Sequence, residues 1–163
     1  MASDVFLKVD GIDGDSQVKG HEKEMEIQGW SISANFPPGP RTAGGSGAAG
    51  TSIHTDLSVT KQVDEASNKL HEACWTGKTI KNAVLSQQRG GEKGGAKVDY
   101  LRLTIEEVLV TSISQSGGPG SIPTETVALN YAKIKREYRT TDVKGASGGW
   151  QSEGWNVAKE EKL

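Results

Sequence analysis

The sequence predicts a mainly β fold: two antiparallel sheets forming a barrel or sandwich, with one short α-helix and a long projecting loop. Several short segments alternate apolar and polar residues, which is the period of a half-buried strand. Large apolar side chains are scarce, since only 34% of the 163 residues are hydrophobic. Such a thin supply suits many strands that each bury one face better than a helical bundle. We expect one domain over residues 1–163.

The longest extended segment is Thr124–Arg139, and its apolar side chains move from odd to even positions midway. One extra residue in a strand turns every later side chain to the opposite face. We therefore predict a long, bent strand that serves two sheets or two sides of a barrel. Val98–Ile113 changes face in the same way near Glu106 and Glu107, so the two segments could form one curved hairpin.

Shorter alternating segments supply the remaining strands. The first is Asp4–Val9, followed by an acidic loop, and the second is Glu24–Ile32, with a bulge or sharp bend expected at Gly29. Three more strands are predicted at Ser52–Thr60, at Thr79–Gln87 before a glycine-rich hairpin turn, and at Gly148–Val157 near the end of the chain.

One segment has the period of an amphipathic helix, at about residues 64–76. Asp64 is a candidate N-cap, and Gly77 is suited to end the helix in the left-handed conformation. Such a helix could plug an open end of the barrel. Its apolar stripe consists of Ala66, Leu70, Ala73 and Cys74.

The segment Ala34–Gly50 is rich in proline and glycine and has almost nothing to bury, so we predict a long projecting loop. Loops of this length inside a compact domain are usually functional or disordered, and a flexible linker is the alternative interpretation. A phosphate-binding loop is excluded because the glycine cluster lacks the Gly-Lys-Ser/Thr ending.

Composition and charge exclude several classes of protein. A net charge of −2 and a pI near 5.9 give no electrostatic footprint for nucleic acid. No apolar run reaches the roughly 20 residues of a membrane span, and the N-terminus lacks the pattern of a secretory signal. The single cysteine, Cys74, excludes an intrachain disulfide and indicates synthesis in a reducing cytoplasm.

We find no catalytic, cofactor-binding or metal-ligating pattern in the sequence. The three histidines have no ligand-like spacing, and His21 is read as surface charge rather than as a weak cation site. Cys74 is read as a small hydrophobic residue rather than a nucleophile, because no basic residue adjoins it in the sequence. Glu106 and Glu107 cannot share a proton, since consecutive strand residues point to opposite faces.

Four tryptophans support two interpretations. They could anchor the core or a subunit interface, which we favour because other large hydrophobic residues are few. They could instead stack on sugars or other small ligands, which gives the alternative function of a small β-barrel binding module. The residues are Trp30, Trp75, Trp150 and Trp155.

Taken together, these stretches resemble the haemolysin-coregulated protein (Hcp) family of bacterial type VI secretion systems. No single motif is specific, but their order and spacing cover nearly the whole chain. The stretches are Asp4, Phe6 and Lys8; Trp30 and Ser31; Leu57, Ser58, Thr60 and Lys61; Cys74, Gly77 and Lys78; Glu125 to Ile134; and Gly154, Trp155 and Asn156.

The resemblance implies a structural protein rather than an enzyme. Members form homohexameric rings around a wide pore, and the rings stack into the tube that a contractile sheath expels with a VgrG-like spike protein. The pore can hold and stabilise secreted effectors. The resemblance also implies assembly in the bacterial cytoplasm and release from the cell without a signal peptide, and it implies neither nucleic-acid binding nor membrane insertion.

Within that interpretation, three groups of residues become site candidates. Ser31 and Ser33 are candidates for the pore and effector contact, because alternation sends them away from Trp30 and Ile32. The candidates for ring stacking through the loop are Phe36, Pro37, Pro38, Arg41 and Ser46. The candidates for the subunit interface are Trp30, Lys133, Lys135, Arg136 and Trp155.

Overall fold

The computed structural model describes residues 4–39, 50–90, 96–141 and 148–163. The predicted mainly β class with one helix is confirmed. The elements in chain order are β1 (Val5–Val9), β2 (Met25–Ile27), β3 (Gly29–Ser31), β4 (Ala34–Asn35), β5 (Ile53–His54), β6 (Leu57–Gln62), α1 (Ser67–Thr76), β7 (Ile80–Arg89), β8 (Val98–Ser116), β9 (Thr124–Asn130), β10 (Lys133–Tyr138), β11 (Gln151–Asn156) and β12 (Glu161–Lys162).

Two antiparallel sheets share the long strand β8. Sheet A has the order β12-β11-β10-β8-β7-β1-β2, and sheet B has the order β3-β6-β9-β8. The first half of β8 pairs with β7 and β10, and the second half pairs with β9. Strands β4 and β5 form a separate two-stranded ribbon. The core lies between the inner faces of the two sheets.

The predicted change of face in β8 is confirmed at Glu106 and Glu107. Both side chains are exposed, whereas Ile105 before them and Val108 after them are fully buried. Glu107 has a φ of 54°, in the left-handed region that residues other than glycine seldom adopt. This residue turns β8 from sheet A into sheet B.

The other predicted bends are complete breaks. Thr124–Arg139 is two strands rather than one, because Tyr131 and Ala132 separate β9 in sheet B from β10 in sheet A. The N–H of Ala132 donates to the carbonyl of Glu106 at 3.0 Å, so the two bends lie side by side. Glu24–Ile32 is likewise divided between β2 in sheet A and β3 in sheet B, at Gln28 rather than at Gly29.

Helix α1 packs on the core through buried Leu70 and Ala73, with Cys74 half-buried at its margin. Gly77 has a φ of 64° and closes the helix as predicted. The start differs from the prediction because Ala66 occupies the N-cap position and makes no side-chain cap bond. Asp64 caps the preceding turn instead, its carboxylate accepting the Ala66 N–H at 2.9 Å.

A buried ionic cluster, which we call the Lys61 cluster, ties α1 to the inner face of sheet B. Lys61 and Glu125 are fully buried and lie opposite each other on β6 and β9, with Nζ and Oε1 2.6 Å apart. Lys61 Nζ also donates to Asp64 at 2.7 Å, and the Ser67 hydroxyl donates to Glu125 at 2.7 Å. The cluster therefore fixes the start of the helix over the sheet.

The expected loop 34–50 begins with structure that the sequence did not predict, since Ala34 and Asn35 pair with His54 and Ile53. The ribbon strand β5 was predicted as part of a longer strand, and β12 was not predicted. Residues 40–49 lie outside the described residues.

Candidate functional site

The outward face of sheet B is built from small, uncharged side chains. Leu57 and Val59 point into the core, so alternation turns Ser58 and Thr60 outward. The cross-strand register places Ser31, Ser58, Ala128 and Ser112 in one row. The hydroxyl face, as we call it, comprises Gly29, Ser31, Ser58, Thr60, Gln62, Ser112, Ser114, Ser116, Thr124, Thr126 and Ala128.

Hydroxyl groups dominate this face, and each can both donate and accept a hydrogen bond. The Oγ1 atoms of Thr60 and Thr126 lie 3.5 Å apart across the strands. A carboxylate stands only at one end, where Asp56 accepts from the Thr111 hydroxyl at 2.6 Å and from the Asn130 amide at 2.9 Å. The Asp56 carboxylate is held by these local hydrogen bonds. The other described positions of the face carry uncharged side chains.

The outward face of sheet A has a different character, because seven charged side chains lie at its outward positions. They form cross-strand ion pairs, with Arg102 3.8 Å from Glu137 and Lys133 3.9 Å from Glu106. Lys135 lies 3.3 Å from Glu137. The charged residues of this face are Lys8, Glu26, Arg102, Glu106, Lys133, Lys135 and Glu137.

A third feature is an apolar cavity of about 750 Å³ between the inner face of β10 and β11 and the chain around β3, β4 and β5. Trp30 and Trp155 line it from opposite sides, together with Phe36 and Ile134. The indole N–H of Trp30 donates to Gln87 Oε1 at 3.1 Å. Arg136 stands at the cavity, on the face of β10 opposite to Lys133 and Lys135.

Comparison with known protein families identifies the family of this chain. The family model described as "Type VI secretion system effector, Hcp" matches residues 6–138. The chain belongs to the Hcp family. The resemblance seen in the sequence motifs is thereby confirmed.

Individual relatives agree with this assignment. Protein hcp1 of Pseudomonas aeruginosa is 37% identical over 159 residues, which are 96% of this chain and 96% of that protein. A solved structure of a type six secretion system protein is 28% identical with a TM-score of 0.89, covering 99% of this chain and 100% of that one. Hcp1 from Salmonella typhimurium is 28% identical with a TM-score of 0.78, and each chain is covered completely.

In this Hcp chain the two candidate pore serines lie in different surroundings. Ser31 is exposed on the hydroxyl face, opposite Ser58. Ser33 lies beyond β3, where its hydroxyl is 3.0 Å from that of Thr55, and it borders the cavity. Strand alternation could not carry both to one face, because β3 ends at Ser31.

The candidate interface residues also separate into two groups. Trp30, Arg136 and Trp155 meet at the cavity, whereas Lys133 and Lys135 belong to the charged outward face of sheet A. Alternation along β10 could separate Arg136 from Lys133 and Lys135, but which face of the strand borders the cavity depends on segments distant in the chain.

Among the loop candidates, Phe36 borders the cavity and is 52% exposed, and Pro37 and Pro38 follow it without regular structure. Arg41 and Ser46 lie outside the described residues. The roles predicted for the pore, interface and loop residues stay predictions.

The remaining tryptophans, Trp75 and Trp150, are not part of the core, and an interface role for them stays a prediction. Trp75 on α1 is 78% exposed, with its ring against His71. Trp150 is half-buried, and two guanidinium groups lie over its ring, that of Arg102 at 4.7 Å and that of Arg139 at 4.5 Å from the ring centre. The exposed ring of Trp75 does not contribute to the core.

His21 was expected to be a surface charge, and that prediction is wrong. Its ring is buried and stacks on Phe6 with the centroids 4.4 Å apart. Nδ1 lies 2.7 Å from Glu24 and Nε2 lies 2.9 Å from Asp99, forming what we call the His21 cluster. Burial alone would lower the pKa of His21, but the hydrogen bonds and charges of the two carboxylates raise the pKa above 6.5.

Sequence reasoning missed this cluster because its partner Asp99 is 78 residues away in the chain. No group of three or more His, Cys, Asp or Glu side chains is arranged to hold a metal ion in the described part of the chain. Over those same residues, no helix is long and apolar enough to cross a lipid bilayer.

Proposed function

We propose that the chain is a structural component of the type VI secretion tube: it forms homohexameric rings that stack, and the hydroxyl face of sheet B lines the channel. Effector proteins would lie in that channel and be stabilised there before release. The protein acts by assembly and transport rather than by catalysis.

The observation that carries this proposal is the contrast between the two outward faces. A channel that lets proteins pass needs a wall without groups that would hold them permanently, and the hydroxyl face offers neutral hydrogen-bonding groups. The ion-paired face of sheet A instead suits an outer surface that meets other charged proteins.

The side chains at the cavity are of types that are common in contacts between subunits. Trp30, Arg136 and Trp155 offer aromatic and guanidinium groups at the cavity, the residue types that dominate subunit contacts. The exposed Phe36 beside it, with Pro37 and Pro38, starts the arm proposed to reach the next ring. A head-to-tail contact can close into a ring within one layer and continue as a filament between layers.

This function implies the partners and the route of the protein. It assembles in the bacterial cytoplasm, meets the sheath and a VgrG-like spike, and leaves the cell with the expelled tube. The family description as a secretion-system effector supports that route.

The test combines mass and cargo. Light scattering is expected to give six times the 17.3 kDa of one chain. Ser31→Gln should leave that mass unchanged and reduce the cargo proteins that co-purify from the producing bacterium. Thr104→Gln, on the outward face of sheet A, is the matched control and should retain them. Equal retention by both variants would contradict the assignment of the channel wall.

The cavity supports a second candidate, a small-ligand or carbohydrate-binding module. Trp30 and Trp155 line this cavity, and its volume of about 750 Å³ is within the range of small-molecule binding sites. A monomer whose tryptophan fluorescence is quenched by a sugar or an apolar dye would favour this candidate. A six-subunit species without quenching would favour the tube.

A further inference from the structure

We propose that the hydroxyl face recognises cargo by neutral hydrogen bonds, so that its preferred partner is a polypeptide surface rich in uncharged polar side chains and retention is nearly independent of salt. This inference rests on the proposed channel and adds the chemistry by which the channel wall would select its contents.

The hydroxyl face is uniform, because its rows carry uncharged side chains. Over the segments paired in sheet B, which are β3, β6, β9 and the second half of β8, the charged side chains are Lys61 and Glu125, and both point inward. The outward row through Thr60 continues to Thr126 and Ser114, and the parallel row through Ser58 continues to Ala128 and Ser112. A charged cargo surface therefore finds no opposite charge along these rows.

Hydroxyl groups do not select a direction of hydrogen bonding. A serine or threonine hydroxyl rotates to donate or to accept, so it can match amide, hydroxyl and carbonyl groups of many sequences. Each such bond replaces a bond to water and gains little alone. A wall of this kind would retain varied cargo through many weak contacts and still release it.

Salt separates this mechanism from an electrostatic one. Attraction between exposed charges is screened over roughly 10 Å at about 0.1 M salt and over roughly 3 Å at about 1 M. Neutral hydrogen bonds lack this dependence. Binding to the ion-paired face of sheet A, by contrast, should weaken strongly as salt rises.

The experiment uses the assembled protein with its threonine methyl groups labelled for NMR. The probes are three synthetic peptides of equal length: one of Ser, Thr, Asn and Gln, and two in which some of these residues are replaced by Lys or by Glu. Thr60 and Thr126 report the hydroxyl face, and Thr104 reports the outward face of sheet A within the same molecule.

The neutral peptide should shift the Thr60 and Thr126 methyl signals and leave that of Thr104 unchanged. Its dissociation constant should change by less than about twofold over the salt range, and neither charged peptide should bind more tightly. Tighter binding of a charged peptide, a change of about tenfold with salt, or shifts only at Thr104 would overturn the proposal. The proposal would also be overturned if the neutral peptide caused no shift. It would be overturned as well if the Thr60 and Thr126 signals changed only with protein concentration, because that would indicate a second copy of the protein on the face.

A charge-introducing variant provides the reverse test. Thr60→Glu combined with Thr126→Glu should make the Lys peptide bind about tenfold more tightly at low salt, with that gain lost at high salt. Thr104→Glu is the control and should give no gain at the hydroxyl face. If the double variant does not fold, Ser31→Glu at the exposed edge strand makes the same test with one charge. No salt-sensitive gain in a folded variant contradicts the proposal.

Light scattering on the same samples distinguishes the two levels of the argument. Six-subunit particles that fail to bind the neutral peptide would overturn the charge-independent recognition alone. A monomer would overturn the proposed ring itself.

Discussion

Two buried polar clusters in the described part of the chain each join one basic side chain to two carboxylates, but they lie in different places. The Lys61 cluster lies between the sheets, where Lys61 and Glu125 are fully buried and joined at 2.6 Å. The His21 cluster lies outside sheet A, where the segment after β1 covers Phe6 and brings His21 against Glu24 and Asp99.

The difference concerns what each cluster secures. The Lys61 cluster joins two neighbouring strands and the start of α1, so it lies on the inner side of the sheet whose outward side is the hydroxyl face. The His21 cluster attaches the segment after β1 to the outward face of sheet A, and its basic group is a histidine, which loses its charge as pH rises through its raised pKa. We therefore expect the first cluster to control global stability and the second to control a local, pH-dependent attachment.

Lys61→Met should have the largest effect. It removes the cation and leaves the Glu125 carboxylate buried without its partner, which we expect to cost about 3–5 kcal/mol of unfolding free energy. Urea denaturation at fixed protein concentration measures it. Lys135→Met on the exposed face of sheet A is the control and should change stability by less than about 0.5 kcal/mol.

A double variant tests whether the loss of stability comes from the unpaired buried charge. Lys61→Met with Glu125→Leu removes both charges, so it should recover most of the stability lost by Lys61→Met alone. If the double variant is less stable than the single one, the loss comes from packing or from the bond between Ser67 and Glu125 rather than from an unpaired charge.

Gly14→Ala tests the loop side of the comparison with a smaller expected effect. A Cβ atom at Gly14 would lie 2.5 Å from the carbonyl oxygen of Glu24, so the loop would have to move away from β2. We expect a loss of about 1–3 kcal/mol in unfolding free energy and faster hydrogen exchange at the His21 amide. Gly29→Ala is the control, because a Cβ atom there has nothing within 4 Å. Equal losses in both variants would show that the close contact at Gly14 has no special role.

The sequence predicted the architecture where the information was local. The face change at Glu106 and Glu107 could be read from alternation, because each neighbouring residue reports its own side of the strand. The break after Asn130 could not be distinguished from a bulge, since both invert the pattern in the same way. What separates them is the partner strand, and that information lies elsewhere in the chain.

The two clusters show that the sequence predicted site residues only where the signal was local. Alternation did place Lys61 on the face of Leu57 and Val59, and Glu125 on the face of Val127, so two opposite charges at inward positions were a usable signal. The hydroxyl face could be recognised in the same way only after β3, β6, β9 and β8 were aligned. The cavity and the His21 cluster needed the packing of distant segments, which no local period records.

The smallest expected effect is the pH dependence of the His21 cluster. A neutral imidazole has one N–H, so it can donate to Glu24 or to Asp99 but not to both, whereas the protonated ring donates to both. The pKa of His21 is raised above 6.5 in the folded protein, so its stabilising contribution is fully present below pH 6.5 and is lost as pH rises through the raised pKa. The Arg102 guanidinium, 3.5 Å from Asp99, also faces the cluster but keeps its charge over this range.

The difference in unfolding free energy between the natural chain and His21→Gln should therefore shrink as pH rises above 6.5, by less than about 1.4 kcal/mol per pH unit for one proton. Urea denaturation of both proteins across that range measures it, and a difference that grows with pH would mean that His21 is held in its neutral form.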